Sequence, residues 1–331
     1  FFKNKIYRKD KIVRPPAVSD KNESLLPNPT LDVVEENLRL FWYWIYERHT
    51  IYHKRFVLKQ KPPWTKDPIL REYKFTNAYR ELDRVSQWVK KNIIEDKNYT
   101  ILERLFTLIS FKLFNKIETF EEVGLLRYND FDPIKFEKSL KKIVDRGENP
   151  FTDAYLVNSM AYQGMKKYIA YSRHVIPFVH ENMKPFYRTI LTAKKPKEII
   201  DHFSIIKGVS DFVAYELYCD IDYFDPPIMK FNQNDYVNTG PGAATGVAWI
   251  FPSRATSYKE CEKVIYELRN KQKYYFKIFG FEDFPYLNNK YGKLSLREIE
   301  HSLCEFQKYM KMINNFGKRR QKFVPHTYDI L

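Results

Sequence analysis

Apolar positions recur at three-to-four spacing through most of this chain. From Asn28, the run NPTLDVVEENLRLFWYWIYERHTIYHKRF places Leu31, Val34, Leu38, Phe41, Trp42, Ile45, His49 and Tyr52 on one helical face. Thr30 is the expected N-cap, and Asp32, Glu35 and Glu36 give the first turns the favoured sign. A second stripe, Trp44, Arg48, Ile51 and Arg55, sets Arg48 among apolar neighbours and predicts a dedicated anionic partner for it. A basic, Pro-rich link with Trp64 follows. Asp67 as cap and Pro68 at the first position then open a second helix, giving a helical pair over 28–58 and 67–94. The apolar side of the second helix is Phe75, Ala78, Tyr79, Leu82, Val85 and Val89; its other side is Asn77, Arg80, Glu81, Arg84 and Gln87. Arg80 and Arg84, four apart, would project together. They flank an anion, or they form an exposed face self-paired through Arg80–Asp83 and Glu81–Arg84.

Further along, residues 99–116 are strongly apolar and predict a buried central helix. Residues 118–123 and 133–146 predict two more, the latter capped by Asp132 before Pro133. Lys166, Lys167 and Arg173 near Tyr162, Tyr168 and Tyr171 suit nucleic acid or an ordinary solvated face. Helical pattern over 176–201 leads into IIKGVSDFVAYELYCDIDYFD, 205–225, which has the layout of a helix-hairpin-helix with Gly208 in the turn and Ser210 where a second glycine is usual. A plain helical turn explains it equally. GPGAATG, 240–246, places Gly240, Gly242 and Gly246 together in a chain with only ten glycines. The expectation is a backbone anion site at a helix start, against a purely structural turn. No Gly-Lys-Ser/Thr follows, so it is not a Walker A loop. Asp220, Asp222, Asp225 and Asp235 precede it as candidate bases or cation ligands. Ser295 to Glu298 is a capping box, followed by a core stripe of Leu296, Ile299, Leu303, Phe306 and Met310, with Glu305 placed to pair with Lys308.

Scarce glycine with long helical periods points to an all-α protein rather than a sandwich or barrel. The formal charge of +15 calls for a polyanion, with nucleic acid ahead of an anionic membrane surface. No apolar run approaches the ~20 residues of a spanning helix, so no membrane placement is expected. Cys219, Cys261 and Cys304 form no C-x-x-C and are read as free thiols. His49 and His53 have metal-pair spacing, but without HExxH or a cysteine cluster they are read as packing or phosphate-contacting residues, and no metal site is assigned. The expected organisation is a basic arm over 1–27, a helical domain over 28–316 and a basic tail over 317–331.

The runs FWYWIYERHTIYHKR and PWTKDPILREYKFTNAYRELDRV, with DYVNTGPGAATG at 235–246 and REIEHSLCEFQKY at 297–309, resemble the phage thymine-hypermodification proteins. These comprise the 5-hydroxymethyluracil DNA kinase helical domain and the related alpha-glutamyl/putrescinyl-thymine pyrophosphorylases. The resemblance implies a helical, DNA-glycosylase-like bundle related to helix-hairpin-helix proteins, acting on modified thymine in DNA. Because no P-loop is present in these residues, it implies the transferase branch, in which an amino acid or polyamine displaces the pyrophosphate of 5-pyrophosphomethyl-deoxyuridine. On that reading Arg48, Arg80 and Arg84 hold the pyrophosphate, and Asp235 deprotonates the amine. Gly208, Ser210, Gly240, Gly242, Gly246, Lys308, Arg319 and Arg320 contact DNA or phosphate, and Trp64 stacks on a flipped base. His49, Asn77, Asp83, Glu300, Cys304, Glu305 and Tyr309 are further motif positions. A divalent cation could accompany the pyrophosphate, and a larger assembly stays open. The expected location is the host cytoplasm for a phage protein, or the nucleus for a eukaryotic one. Base excision by a glycosylase, and non-catalytic nucleic-acid binding, remain the alternative functions.

Overall fold

The computed structural model describes residues 27–28, 30–152, 162, 164–315 and 321–324. In chain order the helices are α1 (Glu35–Tyr52), α2 (Pro68–Glu72), α3 (Arg84–Val89), α4 (Ile101–Phe114), α5 (Ile117–Val123), α6 (Pro133–Asp145) and α7 (Lys167–Ala170). They continue with α8 (Ile176–Glu181), α9 (Met183–Thr192), α10 (Pro196–Phe203), α11 (Asp211–Ile221), α12 (Pro241–Ile250), α13 (Tyr258–Ile278) and α14 (Leu296–Ile313). The fold is all-α, and the extended pairing among the described residues is an isolated antiparallel bridge, Tyr73 with Lys322. The chain divides into two compact units, Phe1–Arg80 with Val237–Leu331, and Glu81–Tyr236.

In the first unit α14 is the centre. Ser295 and Glu298 form the predicted capping box at its start, and Leu296, Ile299, Leu303, Phe306 and Met310 are all buried. α1 packs on it through Phe41, whose ring meets Phe306 edge-on at 5.5 Å. α12 packs against it closely enough to require glycine. A Cβ on Gly242 would fall 2.5 Å from the Cys304 Sγ, and one on Gly246 would collide with the Leu303 carbonyl. Trp42 stacks on Tyr275 of α13 at 5.4 Å.

The second unit is built on α4. Its Thr100–Glu103 capping box starts a helix that is buried from Glu103 to Phe114, as the apolar run 99–116 predicts. Leu105, Phe106, Ile109 and Phe111 share one core with Val179, Met183, Phe186, Leu217 and Tyr218. Lys112 lies inside it, paired with Asp220 at 2.7 Å and Glu216 at 3.3 Å. Asp132 caps α6 before Pro133 as expected.

Two expectations need correction. Thr30 does not cap α1; it donates to Asn28 Oδ1 in a preceding turn, and α1 starts at Glu35. Residues 31–34 instead bond the far end of α12, through Val34 N–H to Ile250 O and Ser253 N–H to Leu31 O. The single helix expected from Asp67 onwards is also broken. Asp67 does cap it, through Ile69 and Leu70 N–H, but α2 ends at Glu72. The next stretch is extended because it pairs with residues near the C-terminus: Lys74 N–H donates to Gln321 O, and Phe323 N–H to Glu72 O. Long-range backbone pairing has overridden a weak local preference.

Candidate nucleic-acid interface

Within the first unit lies a pocket of about 390 Å³, lined chiefly by Arg48, Arg55, Arg71, Trp64, Tyr73 and Phe323. No carboxylate is among its lining residues. α1 supplies Arg48 and Ile51 from one face, and a wide turn, His53–Val57, closed by Leu58 N–H to His53 O, carries Arg55 onward. The stripe Arg48, Ile51, Arg55 therefore faces one cavity. Arg48 donates to the Phe75 carbonyl at 3.3 Å. The Arg55 guanidinium lies over Phe56, Trp64 and Phe323 at 4.7, 5.0 and 5.0 Å from their centroids. Trp64 is set by its indole N–H donating to Gln60 O at 2.7 Å, and Lys54 donates to the Trp64 carbonyl. Lys59, Lys61, Lys66 and Lys74, all exposed, follow the same chain segments.

Segments that carry lining residues are anchored to α14. Asp67 Oδ1 caps α2, and Oδ2 accepts from Tyr309 at 2.6 Å and Tyr43 at 3.4 Å. Burial, with the Asp67 carboxylate beside them, pushes both phenols well above the usual tyrosine range. Glu305 accepts from Thr76 N–H at 3.3 Å and pairs with Lys308 at 2.6 Å, as the three-residue spacing predicts. The block at 297–309 thus holds the segments that bring Leu70, Arg71 and Phe75 to the pocket.

The other candidate residues are placed as follows. Arg80 lies in a short 3-10 turn, Arg80–Leu82, and Arg84 opens α3 after an extended Asp83. They do not share a helical face, which corrects the expectation of two parallel guanidinium groups. Arg84 is exposed and pairs with Glu118 at 2.8 Å, while Glu81 pairs with Lys90. Asn77 and Glu300 are buried. His49 is buried, with Nε2–H donating to Pro285 O at 2.8 Å. Asp235 is exposed in a turn of the second unit, where its carboxylate accepts from Asn232 N–H; it lines no part of the pocket. Gly242 and Gly246 are accounted for by the approach of α14, and Gly240 is the N-cap of α12. Gly208 takes φ +93°, and Ser210 caps α11 through Val213 N–H. Arg319 and Arg320, with residues 1–26 of the expected arm over 1–27, lie outside the described residues.

Sequence reasoning singled out Arg48 and Trp64, which the pocket brings together. It did not name Arg55, Arg71, Tyr73 or Phe323 as site residues. Arg55 had a visible signal, since residues 48–66 hold no acid. Arg71, Tyr73 and Phe323 had none, because their contribution depends on pairing across some 250 residues.

The family model described as "5-hmdU DNA kinase, helical domain" matches residues 35–318. A 5-hmdU DNA kinase of Bacillus phage SP10 is 27% identical over 284 residues, covering 80% of this chain and 43% of that protein. The chain therefore spans less than half the length of the curated relative it matches. No solved structure matches it.

Proposed function

The chain belongs to the family of 5-hmdU DNA kinase helical domains, and from that premise we propose that it acts in DNA thymine hypermodification, with the pocket as the seat of a 5-substituted uracil swung out of DNA. The observation that carries this reading is a nucleotide-sized cavity with three arginines, aromatic walls and no acid. Aromatic faces take the base, the guanidinium groups take an anionic 5-substituent, and the exposed lysines beside the pocket take backbone phosphates.

The reaction we assign is displacement of pyrophosphate from 5-pyrophosphomethyl-deoxyuridine by an amino acid or polyamine. The amine nitrogen forms a bond to the 5-methylene carbon, the carbon–oxygen bond to pyrophosphate breaks, and the amine's proton passes to water or to the released diphosphate. A divalent cation could travel with the diphosphate as part of the substrate. Arg48, Arg55 and Arg71 stabilise the leaving group. Asp235, which stands in the second unit, is not part of this assignment.

The test incubates DNA bearing 5-pyrophosphomethyl-deoxyuridine with a panel of amino acids and polyamines, followed by mass spectrometry of the nucleosides and assay of pyrophosphate. A new amine-linked nucleoside with equimolar pyrophosphate is expected. Arg55→Gln should slow it on the order of a hundredfold, as for removal of a charge-stabilising group. Phosphate moved from ATP onto hydroxymethylated DNA would make the chain a phosphotransferase instead. Free base released from DNA would make it a glycosylase.

A further inference from the structure

Beside the pocket, the chain holds two adjacent large apolar residues in solvent: Val57 is 56% exposed and Leu58 52%. They sit where the wide turn after α1 ends, and the chain then reverses through Lys59 at φ +52°. The reversal is braced. Leu58 N–H bonds His53 O, Gln60 N–H bonds Lys54 O, and Gln60 O accepts from the Trp64 indole. Residues on both flanks line the pocket, Arg55 on one side and Pro62, Pro63 and Trp64 on the other. The turn itself is therefore at the pocket's edge, and its neighbours Lys54, Lys59, Lys61 and Lys66 are all cationic. A rigid apolar tip set among lysines suits a surface that is anionic outside and apolar inside. A DNA duplex is one, with its phosphates outside and its base stack within.

We propose that Val57 and Leu58 form a wedge that enters the base stack and fills the gap left when the target base moves into the pocket. The proposal rests on the pocket reading above and adds the element that opens the duplex. Leu58, at the reversal, fills the gap. Val57 supports it, and the flanking lysines hold the phosphates on either side. The rigidity of the turn matters, because a loop that collapsed on contact could not hold two base pairs apart.

The test uses the full chain and two forms of one oligonucleotide. Each carries 5-pyrophosphomethyl-deoxyuridine with 2-aminopurine on its 3′ side, one single-stranded and one paired. Wild type is expected to bind both and to raise 2-aminopurine fluorescence in the duplex. Leu58→Ala should weaken duplex binding about tenfold and abolish the rise, with single-strand binding and thermal stability unchanged, since only insertion is removed. Leu58→Met should retain the rise. A full rise with the Val57→Ala/Leu58→Ala chain overturns the wedge, as does a wild-type chain that binds the single strand but leaves the duplex dark. That last result spares the pocket reading. Binding to neither form overturns both. Lower thermal stability in Leu58→Ala with an unchanged rise would assign the pair to packing within the protein and likewise overturns the wedge.

Discussion

His49 lies among aromatic rings, 5.0 Å from Tyr79 and 5.1 Å from Phe284. Burial is the main cause of its lowered pKa, about 4; Arg48 and His53 push the same way, and the hydrogen bond to Pro285 opposes them. The folded value is below the unfolded one of about 6.5, so the unfolded chain binds the extra proton. The neutral imidazole's contribution to stability is therefore complete above about pH 6.5 and is lost as pH falls towards 4. Its size is at most about 3 kcal/mol. Denaturant unfolding from pH 7.5 to 4.5 should show a steeper loss for wild type than for His49→Phe. Equal pH slopes would mean that His49 titrates normally. The same residue marks how far single positions were legible. Its helical face was plain from periodicity, and packing was one of the two roles read for it. Arg48 stood out for the same reason, as a charge on an apolar stripe. Arg80 and Arg84 could not be placed, because their pairing needed one helix through both positions, which the chain does not form.

At the scale of elements, the contact of α12 with α14 has the sharpest requirement. Gly246→Ala sets a methyl group against the backbone of α14, which cannot rotate away, so it should cost about 2–4 kcal/mol of unfolding free energy. Gly242→Ala meets only the Cys304 thiol, at 2.5 Å, so the added Cys304→Ala change should recover most of the loss. Gly240→Ala, with open space around it, should cost least. A thermal-melt series on these variants checks the order, and equal losses at all three sites would contradict it. The glycine cluster was conspicuous in the sequence, but not its purpose. A helix start that approaches an anion and a helix that approaches another helix call for the same residue. Long, strongly periodic helices such as α4 and α14 were readable. The stretch from Tyr73 to Ala78 was not, since its helix-like spacing yields to pairing with residues 321–323.

Across the whole molecule the charge is divided unevenly. Residues 81–236 hold 23 Lys and Arg against 23 Asp and Glu, so the formal +15 falls entirely on Phe1–Arg80 and Val237–Leu331, the unit that contains the pocket. DNA binding should therefore weaken steeply with salt. Replacing Lys59, Lys61, Lys66 or Lys74 by Ala should lower the log–log slope by roughly one wherever that lysine neutralises a phosphate. Slopes unchanged in all four variants would move the DNA track elsewhere. The pocket within that unit is tested most directly by affinity at fixed salt. Single-stranded oligonucleotides differing only at one uracil, with 5-methyl, 5-hydroxymethyl, 5-phosphomethyl or 5-pyrophosphomethyl groups, are titrated against the full chain. Affinity should rise along the series, by at least about tenfold from hydroxymethyl to pyrophosphomethyl, as charge-assisted bonds to arginine form. The rise should vanish when Arg48, Arg55 and Arg71 are together replaced by Gln. Equal affinity across the series, or a preference that survives the triple replacement, would contradict the account.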